Sequence, residues 1–415
     1  MWRTGASDLA FENMGIVWIV LKCLYFGVIG FLLGHVSFSA CQRLNLLRFF
    51  PVIFCCISVT VARLFFSDGL YSGELPIALS RSGPTMGSIN LRCSEISLKT
   101  EDLEVSGPIT DIKVEASNRL RVTCTKGSYL IDERDKVLER TRLDATGNRV
   151  VALPTAMKSQ VRYVNVGGEW SGPEARMYDS SGKTVYKIDT EAQIDWGDVN
   201  EDEKPDFVLF RNTNKGYVTL TLLDELQHVI WSKDQPDSTD FAILKGSSNS
   251  KGSIVLSDLS GNFFALNVKG EIVHRWTLPL KFYSISACPA WPNSADTESV
   301  IIAWGNEMWI VSNSGKVLRR LPAPSASWYE DLVSESCAIS VKLDSEKPNY
   351  LAVLVWTGSP SPQSRSTLYL YDDQGALVYQ ETFRGTNALS KMASPKPGTE
   401  SLLIGGTFGI RRYFK

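Results

Sequence analysis

Ten residues, "DVNEDEKPDF" from Asp198 to Phe207, set four oxygen-bearing side chains at fixed intervals. Asp198, Asn200, Asp202 and Asp206 take the first, third, fifth and ninth places, and Phe207-Val208-Leu209-Phe210 follows as a strand. This is the spacing of a short calcium loop. Calcium is a hard cation that takes six to eight oxygens at about 2.3–2.6 Å. Alternate side chains of a tight turn point inward, the ninth place returns as the strand begins, and the carbonyl of Lys204 adds a further oxygen. Three carboxylates gathered without a cation repel one another through solvent that screens them only in part. The expected occupant is one calcium ion on Asp198, Asn200, Asp202, Lys204 and Asp206; the alternative is a solvated charge run.

A cage saturated with oxygen holds a loop still, because metal catalysis needs open positions. Other catalytic patterns are missing or fail on spacing. The chain has three histidines, His35, His228 and His274, too few to expect a histidine-rich metal site or a histidine-based triad. "SGKT" at Ser181 resembles the end of a phosphate-binding loop, but Met177 stands where that loop needs a glycine. An enzyme acting on envelope polysaccharide would need acids and aromatics on one face. "DWGD" (Asp195 to Asp198) and "AWPNSAD" (Ala290 to Asp296) are the nearest candidates. A formal charge of −2 leaves no broad basic surface, so a nucleic-acid partner is not expected.

The acidic loop must be positioned by strands, and these recur. "MYDSSGKTVYKI" at Met177, "ALNVKGEIVHRW" at Ala265, "IVSNSGKVLRRL" at Ile310 and "LYDDQGALVYQE" at Leu370 each read strand, polar turn, strand. Their turns end in Gly182, Gly270, Gly315 and Gly375, and glycine supplies the positive φ of a tight hairpin. Two copies lack the glycine: "LIDERDKVLERT" at Leu130, with Asp135, and "LLDELQHVIWSK" at Leu222, with Gln227. Successive turn positions lie 47, 45, 43, 45 and 60 residues apart, the last interval holding the insertion "TGSPSPQSRS". A period near 45 built of short strands points to a β-propeller with about four strands per blade.

Upstream of the hairpins, Thr-Glu-Ser before three aliphatics occurs at Thr297 and Thr399, and Glu-Lys-Pro before a strand at Glu203 and Glu346. "ALSKMAS", "SLLIGG" and "GIRRYFK" give three strands of a final blade. A strand near "CSEISLK" at Cys93 would complete it and close the ring. The expectation is an all-β, seven-bladed β-propeller over 91–415, with six blades as the alternative.

At the acidic loop the sequence resembles the calcium-binding propeller repeats called FG-GAP or VCBS repeats, in which Asp-x-Asp/Asn-x-Asp-Gly-x-x-Asp precedes an aliphatic strand. The resemblance spans about fifteen residues and matches Asp198, Asn200, Asp202 and Asp206; Glu203 stands in place of the glycine. It implies a calcium-stabilised propeller of the kind carried by surface proteins. The copy at 341–349 puts Val341, Leu343, Ser345 and Asn349 at the ligand places, so one site is expected and not a row.

After a tail (1–14), two apolar runs, 15–36 and 49–66, carry only Lys22 and Arg63 as full charges. Spanning a bilayer takes about 20 residues, with a lower limit near 17. A transmembrane helical hairpin is expected, joined by a Gly-, Ser- and Pro-rich linker (67–90) to the propeller. The alternative is a cleaved or acylated leader ending near "FSAC" at Phe38, followed by one anchor. Arg43 and Arg48 in the connection place it in the cytoplasm and the propeller outside it. Gly30 and Gly34 have a spacing that lets membrane helices approach and self-associate. The stretch after residue 90 has no Asn-x-Ser/Thr sequon, which favours a bacterial envelope. Cys93, Cys124, Cys288 and Cys337 permit two disulfides without requiring any. These features together describe a membrane-anchored binding or scaffold module for a protein or glycan, with the polysaccharide-active or lectin-like reading as the alternative.

Overall fold

The computed structural model describes residues 88–415 apart from 95, 105–108, 125–126, 133–135, 144–149, 155–158, 166–174, 189–191, 201, 214–215, 245–251, 259, 281–283, 292–298, 305–306, 325–334, 358–364, 385–387 and 407–408. The chain divides into two compact units, Met1–Leu79 and Ser80–Lys415, and every described residue lies in the second. The two apolar runs and the tail before them lie outside the described residues. Among the described residues no helix is long and apolar enough to cross a membrane.

The repeated hairpin owes its shape to an acceptor side chain three residues before the expected glycine. Asp179 Oδ1 accepts the N–H groups of Ser181 (2.9 Å) and Lys183 (3.0 Å). Asn267 Oδ1 takes those of Lys269 and Glu271, and Asp372 Oδ1 those of Gln374 and Ala376. Asp224 repeats the pattern with Leu226 and His228. A short polar side chain thus folds the backbone over itself before any tertiary contact forms. Gly182, Gly270, Gly315 and Gly375 follow at φ between 70° and 88°, and Gln227 takes the same left-handed conformation at 65°. Position 135 lies outside the described residues.

Two strands precede each of these hairpins' outer pair, giving antiparallel four-stranded sheets. Blade one comprises Ile109–Val114, Leu120–Cys124, Gly127–Ile131 and Val137–Arg142. Blade two comprises Val150–Ala152, Tyr163–Asn165, Ala175–Tyr178 and Thr184–Ile188. Blade three runs Gln193–Gly197, Asp206–Asn212, Tyr217–Leu223, Val229–Pro236. Blade four runs Asp240–Leu244, Ser253–Ser257, Asn262–Leu266, Ile272–Thr277. Blade five is Ser284–Cys288, Ser299–Trp304, Glu307–Val311 and Val317–Pro322. Blade six is Glu335–Val341, Tyr350–Thr357, Arg365–Tyr371 and Leu377–Arg384. Blade seven takes Ala388–Ala393, Glu400–Gly405 and Gly409–Phe414 from the end of the chain, and Lys99–Glu104 from near the start of the described residues.

Inner strands of neighbouring blades touch around the circle, the first strand of blade three meeting the second of blade two and blade seven meeting blade one, so the ring is closed. Seven blades are therefore present, and the six-bladed alternative falls. There is no single core. Among the described residues, seven apolar clusters fill the wedges between blades; one joins Val255, Ala265 and Phe263 of blade four to Val300, Ile302 and Trp309 of blade five. Ile254 and Leu256, on the opposite face of the same strand, pack toward blade three. Both faces of each second strand are buried, which is why "SIVLS" and "SLLIG" read as continuous apolar runs.

The closing strand is not the one expected from the sequence. Lys99–Glu104 pairs in unbroken register with Gly409–Phe414, from Lys99 opposite Phe414 to Glu104 opposite Gly409. Ser88–Ser94, which contains Cys93, instead adds a fifth strand to the outer edge of blade six. The propeller's first strand thus begins three residues before the expected boundary at 91. Arg411 fixes the closure, bonding both oxygens of Asp102 (2.7 and 2.9 Å) and reaching Glu381 of blade six (3.3 Å). Tyr413 donates to the same Glu381 at 2.8 Å, and Tyr379 donates to it as well. Of the cysteines beyond residue 95, Cys124 and Cys288 are buried and Cys337 is half-buried.

Tryptophans tie successive blades along one rim. Trp231 on the outer strand of blade three donates its indole N–H to Val268 O in the blade-four hairpin (2.9 Å) and lies under Gly270. Trp276 of blade four lies under Gly315 of blade five, and Trp291 of blade five donates to Asp373 O of blade six (2.8 Å). A Cβ on Gly315 would lie 2.5 Å from Trp276 Cγ, at a φ of +88°.

Gly315→Ala should therefore cost about 1–3 kcal/mol, from the left-handed backbone and the clash with the indole together. Urea denaturation of the propeller checks this, and an unchanged midpoint would contradict it. Ring closure makes a second prediction. A chain beginning at Ile96 should melt cooperatively, whereas one beginning at residue 107 should lose its cooperative transition, because it lacks Lys99–Glu104. Equal melting of the two would mean that the pairing does not hold the ring.

Candidate metal centre

Blade three carries Asp198–Pro205 between its first and second strands, at the same end of the blade as its hairpin. The turn is folded by its own acids. Asp198 accepts the N–H of Asp202 on Oδ1 (3.1 Å) and of Glu203 on Oδ2 (3.0 Å). Asn200 Oδ1 also accepts from Asp202 N (3.0 Å), and Asp202 Oδ1 accepts from Lys204 N (3.0 Å). Asp206, which opens the second strand, accepts from Val199 N (2.9 Å) and Asn200 N (3.1 Å) on Oδ2. Asn200 Nδ2 lies 3.4 Å from its other oxygen. All four expected side chains thus meet in one turn. Among the described residues, however, no group of three or more His, Cys, Asp or Glu side chains converges at metal-holding distance.

Asp206 differs from its neighbours. It is 1% exposed, while Asn200 and Asp202 are exposed and Asp198 is half-buried. Burial pushes its carboxyl up to about 6 against the lowering effect of the two N–H donors, and the charges of Asp202 and Asp198 add to the rise. The one nearby cation in the turn is engaged elsewhere: Lys204 Nζ pairs with Glu225 Oε1 of the hairpin at 2.5 Å. The corresponding loop of blade six handles its acid in the opposite way, since Asp344 is paired with Lys415 Nζ at 2.5 Å. Acceptor oxygens without an ammonium among them suit a hard cation, so the donor set fits calcium chemically.

Glu203, at the place of the usual glycine, takes φ 65°. The alternative aromatic candidates have other employment. Trp291 is 6% exposed and braces blade six as described above. Trp196 is half-buried with Lys113 Nζ 5.8 Å from its ring centroid. His228 and His274 are exposed, on the blade-three hairpin and the outer strand of blade four. The neutralisation of Asp344 by Lys415, which separates the two loops, had no local signal in the sequence because the residues are 71 apart.

No family model and no curated protein matches the chain by sequence. By fold it is similar to BBS1N as seen in its crystal structure with ARL6DN, at 12% identity and a TM-score of 0.49, covering 79% of this chain and 97% of that one. It is similar also to the Dos1 propeller, at 11% identity and a TM-score of 0.46, covering 74% and 78%. A Bacteroides caccae protein of unknown function gives 12% identity and a TM-score of 0.37, covering 66% and 93%. At such identities the likeness concerns fold alone.

The left-handed Glu203 gives the prediction for this loop. Glu203→Gly should raise stability by about 0.5–1 kcal/mol, the steric cost of a side chain at this φ less the entropy glycine loses on folding. Chemical denaturation in chelator measures it, and equal or lower stability of the variant would contradict the strain.

Proposed function

We propose that the chain is a membrane-tethered propeller that serves as a binding or scaffold module outside the cytoplasm, with one calcium ion setting the blade-three loop. The carrying observation is Asp206: a carboxylate 1% exposed, flanked by two further acids, with the turn's lysine turned away to Glu225. Buried charges are paired or coordinate metals. Asp198, Asn200, Asp202 and Asp206 would supply side-chain oxygens, with the Lys204 carbonyl beside them. The ion would fix the loop's shape and leave the chemistry of binding to the surfaces around it. The tether rests on the apolar runs 15–36 and 49–66, the orientation on Arg43 and Arg48, and self-association on Gly30 and Gly34. A closed ring of seven blades supports the module reading, because it displays loops at both ends on a rigid frame. The partner is a protein or glycan, in keeping with the near-balanced charge of −2.

A ligand that binds only the folded state adds about 2.7 kcal/mol at one hundred times its Kd. Asp202→Ala should therefore lower the melting temperature by about 5 °C more in millimolar calcium than in chelator, where only its bond to Lys204 N is lost. Identical melting of variant and wild type in calcium would mean a solvated charge run. For the tether, an impermeant thiol reagent should label an engineered surface cysteine of the propeller on intact cells. Labelling only after lysis would reverse the orientation.

A further inference from the structure

We propose that Ser88–Ser94 is a displaceable strap over a strand-accepting edge of blade six, and not a fixed part of the ring. Among the described residues, six of the seven sheets have four strands and blade six has a fifth. That strand contributes nothing to closure, which Lys99–Glu104 accomplishes on blade seven. Its pairing with Leu377–Arg384 is also poor. In seven residues the register shifts twice, between Ser88 and Asn90 and between Leu91 and Cys93. The closing strand runs six pairs without a shift.

The edge beneath is built independently of the strap. The outer strands of blades one, three, four and five are mostly exposed or half-exposed. On blade six, where 88–94 lies along the outer strand, Val378 through Phe383 are all buried. Their side chains are held from other directions. Gln380 Nε2 donates to Pro324 O at 2.8 Å, Glu381 takes Arg411 and Tyr413 of blade seven, and Thr382 bonds Thr367 at 3.1 Å. The strand is thus fixed in its extended form with one edge of main-chain groups turned to the strap. A preformed edge of this kind recognises an extended segment through its backbone, with little ordering cost on its own side. The resident occupant is the chain's own 88–94, and the partner class that would replace it is a peptide in β conformation. This inference stands apart from the calcium reading.

Hydrogen exchange on the full-length protein tests it. The amides that join 88–94 to 377–384 should exchange at least tenfold faster than those joining 99–104 to 409–414, by local opening. Equal protection would overturn the proposal. A full-length variant with 88–94 replaced by seven Gly and Ser residues supplies the second arm. It should melt cooperatively and bind a synthetic peptide of residues 88–94 saturably, protecting the amides of 377–384, whereas wild type should bind far less of it. Loss of the cooperative melt would make the segment part of the core, and failure of the variant to take up the peptide would mean that the edge does not accept strands; either result overturns the proposal.

Discussion

The pairing of Lys99–Glu104 with Gly409–Phe414 is the constraint on which the propeller rests. No blade can bury its own faces, since each apolar wedge is shared by two neighbours. An open ring would expose the cluster that joins Leu403 and Ile410 of blade seven to Ile109, Ile112 and Val122 of blade one. It would also present unpaired strand edges, which invite aggregation. Arg411 makes the join specific. A buried guanidinium held by Asp102 and Glu381 is costly to leave unpaired, so removing either partner is expected to hurt more than the pair's net worth. A second cluster, buried Arg121 with buried Glu115 and Tyr163 and exposed Glu139, spans blades one and two.

Within that frame the loops are free to differ, and two loops in matching positions show how. Asp344 of blade six is neutralised by Lys415, which follows the last strand of blade seven. Blade three folds around Asp198, Asn200 and Asp202, buries Asp206, and directs Lys204 to Glu225. The same strand-loop-strand geometry gives an ion pair with the neighbouring blade in one place and an oxygen-lined turn in the other. Glu203 keeps the turn in spite of its side chain, at a backbone angle that glycine would hold without strain.

Much of this was legible in the sequence, and the gaps have physical causes. The period, the hairpin glycines and the seventh blade follow from local signals: a positive φ needs glycine, and short strands need turns. Gln227 shows that the acceptor Asp224 can fold the turn without it. The closing strand was missed because its partner lies some 300 residues away and "KTEDLE" has one large aliphatic, Leu103. The more apolar "CSEISLK" drew the expectation instead. Its Ile96 and Leu98 pack into the cluster between blades six and seven from a turn, so they are apolar for packing and not for pairing. The four loop residues were legible as a set, but the burial of Asp206 alone among them was not, because it depends on how the second strand of blade three enters the sheet.

The functional reading turns on whether an ion sits in the blade-three turn. Anomalous diffraction from crystals of the protein grown with a lanthanide in place of calcium would decide it most directly. The account predicts a single strong peak within about 2.3–2.6 Å of oxygens from Asp198, Asn200, Asp202, Asp206 and the Lys204 carbonyl. A turn that keeps its fold with no peak, or a peak held by other residues alone, would contradict it.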